Sequence, residues 1–308
     1  MATVEVERPE VVQKRIHDEL GVRLFKPAPE DFDPLEATER ELLVHGYPAR
    51  PDAKLHPELH EHWQRMVSRS MSIIEPQFAV RTDKRHGMKQ AVANDTSTNW
   101  SGSVAFAKKG DAATFVIGQW TVPDVVAPGI GSFYCSTWVG IDGDGSRDVL
   151  QAGTEQEIVS FGFITVHATY AWWEWFPEYE VQITNLPVTA GDIMYCAICV
   201  HTDTEAGFYL TNLTTGVATS FTKTAPAKTT LRGNCAEWIV EIPTVNGSLG
   251  HLARYGDEYF DNCIAGTKNH DLLYAGSGDL ITMVDSGNHA ISTPQAETQE
   301  LIKVQYTA

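Results

Sequence analysis

The chain lacks any apolar stretch long enough to cross a membrane as a helix. Its opening residues, MATVEVERPEVVQKRIHDEL, carry charges throughout. Neither a signal peptide nor a membrane anchor is expected there, and the compartment stays open. Basic residues are scarce: 23 Lys and Arg stand against 40 Asp and Glu, a formal net charge of −17. That imbalance argues against nucleic acid and against anionic membrane surfaces as partners. It suits a protein that works at low pH, where many carboxylates are neutral. Cysteines are few and odd in number: Cys135, Cys196, Cys199, Cys235 and Cys263. Cys196 and Cys199 form a CxxC inside the apolar run IMYCAICV. No second CxxC follows, so they read as buried strand residues rather than a zinc site.

Other chemical signatures are missing too. His56, His60 and His62 lie in HPELHEHW without the HExxH order. Asp142-Gly143-Asp144-Gly145 begins like a calcium loop but would place Gly153 where the bidentate glutamate belongs. No Gly-x-Ser-x-Gly, P-loop or dinucleotide fingerprint is present. Neither a metal nor a cofactor is expected. Four Asn-x-Ser/Thr sequons, at Asn94, Asn99, Asn212 and Asn246, predict little without an export signal.

What is there falls into two parts within 308 residues of ordinary globular composition. Residues 1–90 hold 14 Lys/Arg and 16 Asp/Glu, whereas residues 91–308 hold 9 and 24, so the net charges are −2 and −15. The first part reads as helical. Val11, Val12, Ile16 and Leu20 are at helical spacing over 9–22; a second helix is expected at 35–45, before Gly46 and Pro48; a third runs from Pro57 to about Met71. The second part alternates short runs rich in Val, Ile, Thr, Tyr and Trp with Gly, Asn, Asp and Pro turns. It is expected to be all-β, an antiparallel sandwich or barrel.

Alternation sorts the side chains of these runs onto two faces. Trp138 and Asp142 oppose Val139 and Ile141. Glu237, Ile239 and Glu241 oppose Trp238 and Val240. Tyr170, Trp172, Glu174 and Phe176 oppose Ala171, Trp173 and Trp175, and Gln151 opposes Leu150 and Ala152. A face that mixes aromatics with single carboxylates and an amide suggests a concave groove, because Trp and Tyr are costly to expose.

The ordered motifs are Asn99-Trp100-Ser101-Gly102, Trp138 to Asp144, Leu150-Gln151-Ala152-Gly153, Tyr170 to Pro177, Asn212 to Gly216 and Ala236 to Glu241. Together they resemble the eqolisin family of glutamic peptidases over roughly residues 97–306. Ser101 departs from the usual Gly, and the match weakens after about residue 250. The resemblance implies a concanavalin-like sandwich of two large bent antiparallel sheets. It implies a pepstatin-insensitive acid endopeptidase whose catalytic pair is Gln151 and Glu237. Trp100, Trp138, Asp142, Glu174 and Trp175 would sit in or beside its substrate groove. The expected partners are polypeptides, the expected state is monomeric, and the family is typically secreted.

The residue types fit that chemistry. Glu237 would take a proton from water and return it to the leaving amine. The Gln151 amide would donate to the tetrahedral oxyanion. Two other readings compete. A glycoside hydrolase would pair Glu174 with Glu237 and leave Gln151 idle. A silent glycan-binding module would use the aromatic groove alone. Residues 1–90 could be a propeptide whose basic side chains lie across the acidic groove until carboxylates protonate, with a cut at Lys84-Arg85; a permanent extension is the other possibility.

Overall fold

The computed structural model describes residues 8–308; the opening seven residues of the stretch read above as lacking a leader fall outside it. Two large sheets pack face to face, as expected of a sandwich. One contains eight antiparallel strands in the spatial order Asp279–Val284, Trp100–Phe106, Cys235–Glu241, Gly131–Asp142, Val149–Ser160, Thr165–Trp175, Val181–Ile183 and Phe78–Val80. The other runs through Ala290–Ala296, Ile302–Tyr306, Asp257–Thr267, Ala113–Thr121, Ile193–Thr202, Glu205–Asn212 and Val217–Thr224.

Between the sheets, Trp173 packs against Phe208 and Phe221 with ring centroids 5.6 and 5.3 Å apart. Trp238 donates its indole N–H to the Ile117 carbonyl at 2.8 Å, and Trp120 donates to Thr154 Oγ1 at 3.0 Å. Trp238 and Trp120 are thus buried with their polar tips satisfied, whereas the Trp173 N–H has no partner among the described residues. All five cysteines are free thiols; Cys196 is buried and Cys199 half-buried.

Among the described residues, the amino-terminal arm holds three helices: α1, Pro9–Glu19; α2, Glu39–Val44; and α3, Pro57–Val67. They fall where the periodicity predicts but are shorter. Proline opens α1 and α3, where its missing N–H is not needed. Gly21, at φ 63°, stops α1 inside the stretch expected to stay helical. Thr38 and Glu41 form a reciprocal cap at α2. Between and after the helices are strands of two or three residues, too short for periodicity to reveal. Val22–Leu24 and Ser72–Ile73 pair with Val217–Thr224, and Phe78–Val80 pairs with Val181–Ile183. Each covers an open sheet edge, and Phe78 is buried between the sheets against Trp173 and Phe221.

After Phe78–Val80 the chain turns onto the outer face of the first sheet, the one the resemblance implies to be concave. There Lys84-Arg85 pairs with Thr244-Val245, one arm of a hairpin whose return strand is Ser248-Leu249.

Candidate active site

Gly140 lies at the centre of the concave face. Its strand runs between the Gln151 strand and the Glu237 strand, and both residues are paired directly with Gly140. Residues in register across neighbouring strands point to the same face, so Gln151 and Glu237 flank one glycine from either side. A Cβ on Gly140 would meet the Trp138 ring at 2.8 Å, the Leu150 carbonyl at 3.0 Å and Gln151 Cβ at 3.3 Å. Only glycine leaves that space open. One strand further out, Glu174 is the direct partner of Gln151.

Residues 84–89, KRHGMK, run through this space. The Gln151 amide donates from Nε2 to the His86 carbonyl at 3.0 Å. His86 N–H donates to Glu174 Oε2 at 2.9 Å, and Gly87 N–H donates to Glu241 Oε1 at 3.1 Å. The His86 ring stacks on Trp172, centroids 3.7 Å apart and nearly parallel. The His86–Gly87 peptide is therefore held on both sides by groove side chains, as an extended peptide ligand would be.

Lys84, His86 and Lys89 of this segment each meet a carboxylate, while Arg85 lies 4.0 Å over the Tyr179 ring. Lys84 Nζ is 3.3 Å from Glu155, contacts Glu157 closely, and lies 3.0 Å from the Tyr170 hydroxyl. His86 Nε2 is 2.8 Å from Glu180, and its Nδ1 is 3.4 Å from Glu241. Lys89 pairs closely with Asp144. Burial works against the His86 charge, yet Glu180 and Glu241 outweigh it and push its pKa up to about 10. Burial would likewise raise Glu180, but the hydrogen bond to His86 and the Lys84 charge hold it below the usual carboxylate value. His86, Glu155 and Glu180 bring potential metal-ligand atoms within 4.8 Å of one another. Lys84 already places an ammonium against Glu155, so the trio behaves as an ion-pair network.

Glu237 is different. It is wholly buried, and neither oxygen has a hydrogen-bond partner among the described residues. Burial pushes its pKa well above the ordinary value; the neighbouring Cys235 thiol opposes the push, and the Asp142 and Asp144 carboxylates add to it. A carboxyl group is the side chain that can take a proton from water and later return it.

Comparison with known proteins places the chain in a lineage. Residues 98–306 match the peptidase A4 family. The chain belongs to that family. It is 31% identical over 211 residues to aspergillopepsin-2 of Aspergillus niger, a match spanning 62% of this chain and 72% of that protein. It is 30% identical over 146 residues to scytalidopepsin B of Scytalidium lignicola, spanning 47% of this chain and 51% of that protein. Among solved structures, scytalido-glutamic peptidase bound to a transition-state analogue inhibitor superposes with TM-score 0.59 at 22% identity, over 68% of this chain and 98% of that one. Aspergilloglutamic peptidase gives TM-score 0.51 at 24% identity, over 57% and 99%. This A4 peptidase is thus a glutamic-type acid endopeptidase on the eqolisin sandwich.

Of the side chains the sequence singles out in this A4 peptidase, most meet on the concave face. Trp138 donates to Glu241 Oε2 at 2.9 Å, and Trp100 packs edge-on against Trp138 with centroids 5.0 Å apart. Asp142 stands near Glu237, but it is spent on structure: its carboxylate accepts the backbone N–H groups of Arg232, Gly233 and Asn234 at 2.7, 3.0 and 2.8 Å. Trp175 is a correction. It lies in the inter-sheet core, with its indole N–H 3.4 Å from Asp148 Oδ2, because alternation turns it away from Glu174. Glu155, Glu157, Glu180 and His86 were not singled out. Glu241, Tyr170 and Trp172 were on the right faces by alternation and could have been chosen.

Proposed function

We propose that Gln151 and Glu237 form the catalytic pair of this acid endopeptidase and that the full chain is a latent form, its groove filled by residues 84–89 lying as a substrate would. The observation that carries this is the 3.0 Å hydrogen bond from Gln151 Nε2 to the His86 carbonyl oxygen. A carbonyl oxygen seated on the amide is where an oxyanion develops when that carbonyl is attacked. Glu237 deprotonates the attacking water and then protonates the departing amine, while Gln151 stabilises the negative oxygen. One such donor is worth roughly 10²–10³ in kcat. The bond on the amide is His86–Gly87, which moves the expected processing site two residues past Lys84.

The pH response follows from the two opposed shifts. His86, with a raised pKa of about 10, contributes stability to the filled groove that is fully present below the ordinary imidazole value and lost as pH rises through about 10. Glu180, with a lowered pKa, contributes stability present above the ordinary carboxylate value and lost as pH falls through its own. Acidification therefore loosens the segment, in the range where an acid peptidase acts.

The test is digestion of an unfolded protein at pH 3–4 with pepstatin present, comparing the parent with Gln151→Ala and Glu237→Gln. The parent should cut after acid incubation, and both variants should fall by at least about 10² in kcat. Intact mass should report cleavage between His86 and Gly87. Undiminished activity in either variant sinks the pair, and a parent that stays whole yet fully active sinks the latency. The same arms would expose a glycan-binding module, for which nothing in the groove speaks as directly.

A further inference from the structure

Gln151 and Glu174 are direct partners on adjacent strands, and each has one oxygen without a partner among the described residues. Gln151 spends its Nε2 on the His86 carbonyl, an acceptor only, so its Oε1 must point elsewhere. Glu174 spends Oε2 on the His86 N–H. The remaining oxygens, Gln151 Oε1 and Glu174 Oε1, are fully buried and without a hydrogen-bond donor among the described residues. Two unpartnered acceptors on residues in register on one face disfavour each other, and each unsatisfied buried oxygen costs about 1–3 kcal/mol. One proton resolves both. We infer that Glu174 is a positioning residue that works as a neutral acid, donating its O–H to Gln151 Oε1 and so holding the amide N–H₂ toward the oxyanion. This rests on the reading of Gln151 as the oxyanion donor.

The surroundings favour that proton. Burial raises the Glu174 pKa well above the ordinary carboxylate value. From the Glu237 strand, Glu241 adds to the push, as does Glu180 from the turn after Glu174. His86, on the segment filling the groove, opposes it, and its N–H bond to Oε2 opposes it too. Glu155 lies four residues along the Gln151 strand and pairs with Lys84; Asp142 and Glu237 lie beyond Gly140. When the segment leaves, the opposing imidazolium leaves with it, and the neutral form of Glu174 is favoured further.

The inference explains why such an enzyme would be confined to acid. The general base Glu237 must be ionised, which sets only the acid limb of activity. A group that must stay protonated sets the other limb, and Glu174 is placed to be it. As pH rises, an ionised Glu174 would accept from the Gln151 amide instead of donating to it, turning the N–H₂ away from the oxyanion.

The experiment is the pH profile of kcat/KM for the acid-activated parent beside Glu174→Gln and Glu174→Ala. Glutamine keeps an N–H for Gln151 Oε1 and an oxygen for the substrate N–H, at every pH. Glu174→Gln should hold most of the activity, with its alkaline limb displaced upward by about one pH unit or more. Glu174→Ala should lose about tenfold to a hundredfold in kcat, less than Gln151→Ala. Independently of activity, the infrared band of a protonated carboxyl at pH 6 should be lost in Glu174→Gln. An alkaline limb that superimposes on the parent, or a Glu174→Gln variant as poor as Glu174→Ala, overturns the inference. If Glu174→Gln does not fold, Gln151→Leu carries the infrared test: removing the acceptor must shift the band, and an unmoved band overturns it. If Gln151→Ala is itself fully active, the catalytic pair has failed, an outcome these arms keep separate.

Discussion

The two faces of the first sheet use the same strands and nearly the same residue types for opposite ends. Trp173, Trp175 and Trp238 point between the sheets and belong to one continuous apolar core. Trp100, Trp138 and Trp172 point the other way, into a separate cluster shared with Tyr170 and Ile239. On the inner face each ring meets other hydrocarbon. On the concave face the rings alternate with carboxyl groups and pack against a segment supplied by a distant part of the chain. Both clusters of rings are buried, but only one is buried by permanent packing. Burial on that face depends on ion pairs, which pH can undo, and this is what separates a core from a closed site.

Mutations on the two faces should separate along that line. The largest loss of stability is expected from Trp238→Ala, about 3–5 kcal/mol by urea unfolding, since a cavity would open between the sheets and the Ile117 carbonyl would lose its donor. Lys84→Met should leave overall unfolding far less affected yet free the groove. Breaking a buried pair costs about 3–5 kcal/mol, and here the cost falls on the filled state, so peptide cleavage should begin at higher pH than in the parent. Trp172→Leu removes the stacking partner of His86 and should weaken the filled state by about 1 kcal/mol, read as faster acid activation. Glu61→Gln, which breaks an exposed ion pair with Arg65 on α3, should change stability by less than about 0.5 kcal/mol and activation not at all. If Lys84→Met instead unfolds the chain as Trp238→Ala does, the distinction between the faces fails.

Much of this was legible in the residues. Strand alternation put Trp138, Trp172, Glu174, Gln151, Glu237 and Glu241 on their observed faces, because period two follows from backbone geometry alone. Helix starts were legible at Pro9 and Pro57. Trp175 lies where alternation turns it, into the inter-sheet core, and not in the groove that the resemblance implies. The shared pairing of Gln151 and Glu237 with Gly140 was out of reach: it joins residues far apart in sequence, and register is set by contacts that no local pattern records. His86 gave no signal beyond its place in a basic run. Its importance comes from landing on Trp172, some 85 residues later.

The arm that delivers His86 is sewn into the body upstream of it. Val22–Leu24 and Ser72–Ile73 extend one sheet, Phe78–Val80 extends the other, and Phe78 is buried between them. Scission after His86 would therefore nick the molecule without lightening it. The new carboxyl terminus would stay leashed a few residues from the groove, at an effective concentration near the millimolar range typical of short tethers. Such an enzyme would carry its own product inhibitor for life, and a return toward neutrality would let it close again.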